Sequence, residues 1–398
     1  MDQRITFVIP SRNNLEFLQL AYKSIKNLDG KHEILVLDDA STDGTSDWIQ
    51  SLNDEKLITY RNDGPERIGI VGMFDKGIQM ARTPIIMAFH ADMVASPNLD
   101  KNIIKHLKPL TVVSATRVEP PLHPSGPEKI TLAWGNEVDE YDYDMNVINL
   151  LQLENQNKNK TTEGIFAPWC MYREDFLSIG GHDELFAPQS KEDSDLFNRF
   201  VLNGYKVIQS WDALVYHFTS RGSRFNKHSG GSAGVNSQEW IDTTTKNGRN
   251  FVRKWGHFVK HNDTMKPIVP KRYDVGFVVR NCDEYKLTLL EPWCDTIYTD
   301  VSYDRYINLE QKNTKFDLKK KLKRYEDQKI NDIVIEFDAV KLTNQSFEFF
   351  NMLQLMLEDS GIVGELEFDI FKLKINKLND HNKNLVTLND SWYKNQLL

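Results

Sequence analysis

Four groups of residues ahead of position 230 have the types and spacing to do chemistry: Asp38-Asp39, His90-Ala91-Asp92, Glu192-Asp193, and His217 followed by Arg221 and Arg224. A carboxylate two residues from an imidazole can hold a divalent cation, and such a cation neutralises a phosphate-bearing leaving group. Imidazole in the set favours a transition ion, Mn2+ over Mg2+. Adjacent acids at a helix start can supply a base that takes a proton from a hydroxyl, and the helix dipole keeps that base ionised. An acid beyond a strand end can accept an N–H from a nucleobase. Arginines in a glycine-rich segment can pair with phosphates. Each group also has a plainer reading. Asp38 to Gly44 could be a helix-capping turn, Ser190 and Asp193 an ordinary cap, and a lone His217 a structural residue. Trp169 could stack on a sugar face or lie in the core.

The elements that must position these groups can be read from the apolar runs. Ile5 to Ile9 predicts a buried strand ended by Pro10, with Ser11, Arg12, Asn13 and Asn14 as its loop. Leu15, Leu18, Ala21, Tyr22 and Ile25 then fall at helical spacing. Ile34 to Leu37 predicts a second strand, Leu57 to Tyr60 a third, Gly72 to Arg82 a helix, and Pro84 to Phe89 a strand stopping at His90. This alternation predicts a mainly parallel sheet with helices on both faces. In such sheets ligands bind beyond the strands' carboxyl ends, where Ser11 to Asn14, Asp38 to Asp43 and His90 to Asp92 would all fall.

Further on, Val112 to Thr116 predicts a strand, and four prolines between Pro120 and Pro127 break the pattern. Glu137 to Thr162 reads as a polar loop or insertion, Lys191 to Leu202 as a helix, and Val207 to Val215 as a late strand pair ending at His217. Arg221 to Asn236 has the glycine and serine content of a mobile loop. Past Lys266, Val275 to Val279, Ile333 to Phe337 and the alternation from Leu366 to Ile375 predict strands, Ser346 to Glu358 a helix, and Lys312 to Lys329 an exposed basic helix. The expected organisation is a domain over residues 1–265 and a smaller α/β domain over 267–398.

A chain of 398 residues exceeds what one core usually serves, which fits two domains. A net charge of -8 weighs against a nucleic-acid binder. Cys170, Cys282 and Cys294 are too few and too scattered for a disulfide framework or a zinc site, and no run is long enough to span a bilayer. These features predict a soluble, cytoplasmic protein.

Three strings together resemble the family 2 glycosyltransferases, inverting enzymes of the GT-A fold, over about residues 1–265. FVIPSRNN is similar to that family's first strand and nucleotide-contacting loop, and LVLDDASTDGT to its second strand and acidic turn. PIIMAFHAD places His90-Ala91-Asp92 at the family's Asp-x-Asp signature, with histidine in place of the first acid. GGHDELFAPQSKEDSDLFNRF resembles the acceptor-side segment. The resemblance implies a nucleotide-diphosphate-sugar donor, a UDP-sugar above all, contacted by Pro10, Ser11, Arg12, Asp38 and Asp39, with Asp39 accepting the uracil N3–H. It implies Asp92 as the principal metal ligand, His90 and His217 as further contacts to metal or nucleotide, and Mn2+ as the ion. Asp193 matches the base that activates an acceptor hydroxyl, Glu192 and Asp195 supporting or acceptor-binding residues, and Arg221 and Arg224 partners for the diphosphate.

Three other classes compete. A nucleotidyltransferase would carry a glycine-rich basic loop after the first strand, and a dehydrogenase would carry G-x-G-x-x-G there; PSRNN is neither. A non-catalytic nucleotide-sugar or glycan binder would be favoured if His90 marks lost metal binding, but the retained Glu192-Asp193 pair weighs against it.

Overall fold

The computed structural model describes residues 3–386. It divides into two compact units: one runs through Thr244 and includes His261–Pro267, and the other comprises Thr245–Lys260 and the chain from Ile268 onward.

The first unit opens with β1 (Ile5–Ser11), α1 (Leu15–Lys26), β2 (Glu33–Asp39), α2 (Thr45–Ser51), β3 (Leu57–Asn62), α3 (Gly69–Met80) and β4 (Ile85–Ala88). β5 (Met93–Ala95), α4 (Leu99–Ile104), β6 (Thr111–Glu119), β7 (Lys129–Thr131), α5 (Tyr143–Gln156), β8 (Thr161–Thr162), β9 (Trp169–Tyr172), α6 (Arg173–Ser178), α7 (Glu192–Leu202) and β10 (Lys206–His217) follow. The chain passes from one unit to the other within α8 (Gln238–Trp255).

The sheet order is β3-β2-β1-β4-β9-β6-β10-β5, with β7 beside β6 and β8 beside β10. β1 pairs in parallel with β2 and β4, and β6 with β10, while β9 runs antiparallel to β4 and β6 and β5 antiparallel to β10. This is the mixed, mainly parallel α/β architecture expected of this region. The central strands are buried on both faces, so they read as continuous apolar runs rather than as alternation. α1 buries Phe17, Leu18, Ala21, Ser24 and Ile25, a single stripe at helical spacing against the sheet.

Two expectations for this unit need correction. Glu137 to Thr162 contains a fourteen-residue helix, α5, started by Asp142 accepting from the Met145 amide at 3.0 Å. Its buried stripe is Asn146, Leu150 and Glu154, two polar residues of three, which left no apolar periodicity to read. The late strand pair is one strand: β10 shifts register against β6 between Ser210 and Leu214, so three bulged residues look like a break.

The second unit contains a six-stranded sheet whose first element is β11 (Val275–Arg280). β12 (Thr296–Thr299), β13 (Leu322–Arg324), β14 (Ile333–Asp338), β15 (Gly364–Phe368) and β16 (Phe371–Ile375) complete it in the order β13-β12-β11-β14-β16-β15. The first four strands are parallel and the closing hairpin is antiparallel, a second small α/β sheet. The basic stretch Lys312 to Lys329 is not an exposed helix. It holds the end of a 3-10 turn (Gln311–Asn313), a four-residue helix, Leu318–Lys321, and then β13, and Lys321 is buried with its Nζ 2.7 Å from Glu291. A run of lysines reads as solvated because the buried carboxylate that neutralises one of them is thirty residues away. Among the described residues no helix is long and apolar enough to cross a membrane.

Candidate active site

The carboxyl ends of β1, β2, β4, β6 and β10 share one edge of the first sheet. After β1 and β2 the loops tie to each other. Asn13 Oδ1 accepts the Thr42 amide at 2.7 Å, Ser41 Oγ accepts the Asn13 amide at 2.9 Å, and Asp43 accepts the Leu15 amide at 2.9 Å, covering the start of α1. Asp38 accepts the Ser41 amide at 3.0 Å, and its other oxygen lies buried 3.6 Å from Arg61. Asp39 accepts from Asn62 Nδ2 and the Ile68 and Gly69 amides, each at 2.8 Å, and so pins the start of α3. Bonds of this charged type contribute about 1.5–3 kcal/mol each. Three of the carboxylate's four lone-pair sites are thus taken by the protein.

Gly69 makes the next link. Its φ is +86°, and a Cβ there would lie 2.4 Å from the Pro188 carbonyl oxygen, so only glycine lets α3 start against the segment that leads to α7. That segment is held from several sides. His182 donates its amide to Asp75 of α3, and its Nδ1 lies 2.7 Å from the same carboxylate. The fully buried Arg199 pairs with Asp195 at 2.9 Å and reaches the Ile179 and Gly181 carbonyls. Asp195 is therefore fully buried in an ion pair rather than open to an acceptor.

Ser190 and Lys191, at φ +77° and +74°, then turn the chain into α7 with Glu192 buried and Asp193 half-buried in its first turn. Among the described residues twelve non-glycine positions have positive φ, and six of them, Asn13, Ala40, Ser190, Lys191, Thr219 and Ser220, lie in the loops of this edge. Backbone strain of this kind, about 1–3 kcal/mol each, concentrates where geometry serves function.

Burial, followed by the charge of Asp193, raises the Glu192 carboxyl to about 8. Because the folded pKa lies above the unfolded one, Glu192 favours folding fully below about 4.5, and that contribution is lost as pH rises through about 8. Glu192→Gln should therefore melt near the wild type at pH 5 and several degrees above it at pH 9. Parallel pH profiles of the two melting temperatures would exclude this.

The metal-type cluster forms where β10 pairs with β5. The pair Met93↔His217 brings Asp92 beside the strand end, and the Phe218 amide donates to the Asp92 carbonyl at 3.0 Å. His217 Nε2 lies 3.5 Å from Asp92, and the Arg221 amide donates to the other Asp92 oxygen at 2.6 Å. Donor atoms of His90, Asp92 and His217 all lie within 4.8 Å of one another. His217 Nε2 is buried without a hydrogen-bond partner, which suits a ligand atom aimed at a cation. Burial works against the Asp92 carboxylate, yet His217, His90 and the Arg221 amide outweigh it and hold its pKa down to about 2. Burial likewise disfavours charge on His217, but Asp92 and Glu119 lift it to about 9. His90 is lowered by burial, and among the charges that act on it is that of Asp193.

The remaining expected residues distribute unevenly. Pro10 and Ser11 end β1 at the site edge, and Ser11 Oγ is buried and unpartnered. Arg12 lies 3.6 Å from Glu239. Arg221 is buried, 3.2 Å from Glu137 and bonded to the Asn136 carbonyl, and Arg224 stacks 4.5 Å over Trp240 and donates to Asn236. The loop that carries them is tied down by Asn226, whose side chain reaches the Asn13 and Arg221 carbonyls. Trp169 is core: it is 1% exposed and stacks on Phe176. Sequence reasoning missed Glu119, which ends β6 and contacts His217 Nδ1 at 2.8 Å, because its only local signal is an acid at a strand end before a proline.

Residues 6–178 match the sequence model of "Glycosyl transferase family 2". This match lies within the amino-terminal unit, where the motifs predict it, and ends before the second unit. No curated protein matches the chain. Similar solved structures include the mannosyltransferase PcManGT from Pyrobaculum calidifontis in complex with GDP-Man and Mn2+, at 21% identity over 54% of this chain and 56% of that one, TM-score 0.38. GalNAc-T7 with UDP, GalNAc and Mn2+ is 15% identical over 64% and 50%, TM-score 0.44. S. aureus TarS 1-349 is 14% identical over 55% and 61%, TM-score 0.39. The chain spans between half and about three fifths of each of these proteins.

Proposed function

We propose that this protein is an inverting, metal-assisted hexosyltransferase that moves a sugar from a nucleotide-diphosphate sugar, a UDP-sugar above all, to an acceptor hydroxyl. The observation that carries this reading is the convergence of His90, Asp92 and His217 at the sheet edge of the unit whose residues 6–178 match family 2. Asp92 and His217, with His90 as third ligand, would hold a divalent ion, which when bound neutralises the departing diphosphate. Asp193 takes the proton of the acceptor hydroxyl as its oxygen bonds to the anomeric carbon and the bond from that carbon to phosphate oxygen breaks. Asp39 offers its one remaining lone-pair site to uracil N3–H, with Pro10, Ser11, Arg12 and Asp38 around it. The intact Glu192-Asp193 pair supports a transferase over a binder. The three unpaired cysteines support a reducing, cytoplasmic setting.

A thermal-shift screen of nucleotide sugars with Mn2+ tests the donor, because a ligand well above its dissociation constant stabilises by about 2–4 kcal/mol. UDP release with an acceptor panel tests the transfer; binding without turnover across that panel would favour the binder. Two imidazoles and one carboxylate should make Mn2+ support transfer better than Mg2+. Equal rates with the two ions would remove His90 from the ligand set.

A further inference from the structure

Glu119 lies outside the three-residue cluster, yet it is built into it. The last registered pair of β6 and β10 is Tyr216↔Val118, so the next residues, His217 and Glu119, end their strands side by side. Glu119 is 2% exposed. Its Oε1 lies 2.8 Å from His217 Nδ1 and 3.2 Å from Arg117, and its Oε2 lies 2.9 Å from Lys129. Two cations on one side keep Glu119 an anion, and an anion can only accept hydrogen bonds. When a cation displaces the proton of Nε2, the atom that stands 3.5 Å from Asp92, the remaining ring proton is thereby kept on Nδ1, facing Glu119, and the lone pair is left on Nε2.

We propose that Glu119 is a positioning residue for the divalent ion, acting through His217: it sets the tautomer and ring orientation that present Nε2, while Arg117 and Lys129 hold Glu119 in place. This rests on the metal reading of His90, Asp92 and His217. Carboxylates behind ligating histidines typically change metal affinity by about 10–100-fold when removed.

The test is Mn2+ binding to the full chain without nucleotide, followed by the EPR signal of free Mn2+. Glu119→Leu should weaken Mn2+ by about 10–100-fold. Because that change leaves Lys129 buried without its counter-charge, Glu119→Leu combined with Lys129→Met is measured beside it and should show the same weakening with a native melting temperature. Glu119→Gln, which can still accept from Nδ1–H, should restore most of the affinity. His217→Gln should also weaken Mn2+, and adding Glu119→Gln or Glu119→Leu to it should change nothing further. Wild-type affinity in the charge-compensated variant, or an undiminished effect of Glu119→Leu in the His217→Gln background, would overturn the assignment alone. A wild-type chain that binds no Mn2+ would overturn the metal reading and this assignment with it.

Discussion

Asp193→Asn is expected to cut transfer by roughly 10²- to 10⁴-fold while nucleotide-sugar binding survives, the usual contribution of a positioned general base. Asparagine keeps the volume and the place in the first turn of α7 but cannot take a proton. Its neighbour is a poor replacement, because burial, the larger cause of the raised Glu192 pKa, remains when the Asp193 charge is removed and still disfavours the carboxylate. The backbone around it is over-determined: Gly69 packs on Pro188, His182 is held by Asp75, and Arg199 by Asp195, so the substitution should leave the loop in place. UDP release with acceptor measures the loss, and calorimetric titration of UDP measures the binding. Transfer within tenfold of wild type would remove Asp193 from the role of base.

What could be read in advance and what could not divides along physical lines. β1, β2, β4, α1 and α3 were legible because each is an apolar run or stripe bounded by a glycine, a proline or a polar loop. The acidic turn after β2 was legible as a string, but its chemistry was not: the three donors that pin Asp39 come from Asn62, Ile68 and Gly69, a strand and a helix further along the chain. His217 and Asp92 meet only because β10 pairs antiparallel with β5, and Glu119 meets His217 only through the parallel register of β6 with β10, 98 residues apart. Pairings that distant leave no local pattern. The buried Lys321 and the polar stripe of α5 show the same limit from the other side, since side chains that read as solvent-facing are satisfied by partners elsewhere in the chain. Asn98, for instance, donates twice to the buried Glu154 of α5.

Asp92→Asn should be more damaging than any change at His90. The carboxylate serves two directions at once: Oδ1 faces His217 Nε2 at 3.5 Å, and Oδ2 accepts the Arg221 amide at 2.6 Å. An asparagine offers one acceptor oxygen for both and no negative charge. If its oxygen goes to the Arg221 amide, an NH2 faces the cation site; if it faces the site, the buried Arg221 amide loses its acceptor. Lewis-acid stabilisation is worth several kcal/mol, and at about 1.4 kcal/mol per tenfold a loss of roughly 10³-fold in transfer is expected. His90, half-buried and the most weakly tied of the three, should cost less when changed to Ala. The two causes separate by metal titration: a lost ligand is partly rescued by raising Mn2+, because binding is restored by mass action, whereas a displaced Arg221 backbone is not. Full activity of Asp92→Asn at ordinary Mn2+ would mean that the cation is held elsewhere, and recovery at high Mn2+ would assign the loss to the ligand itself.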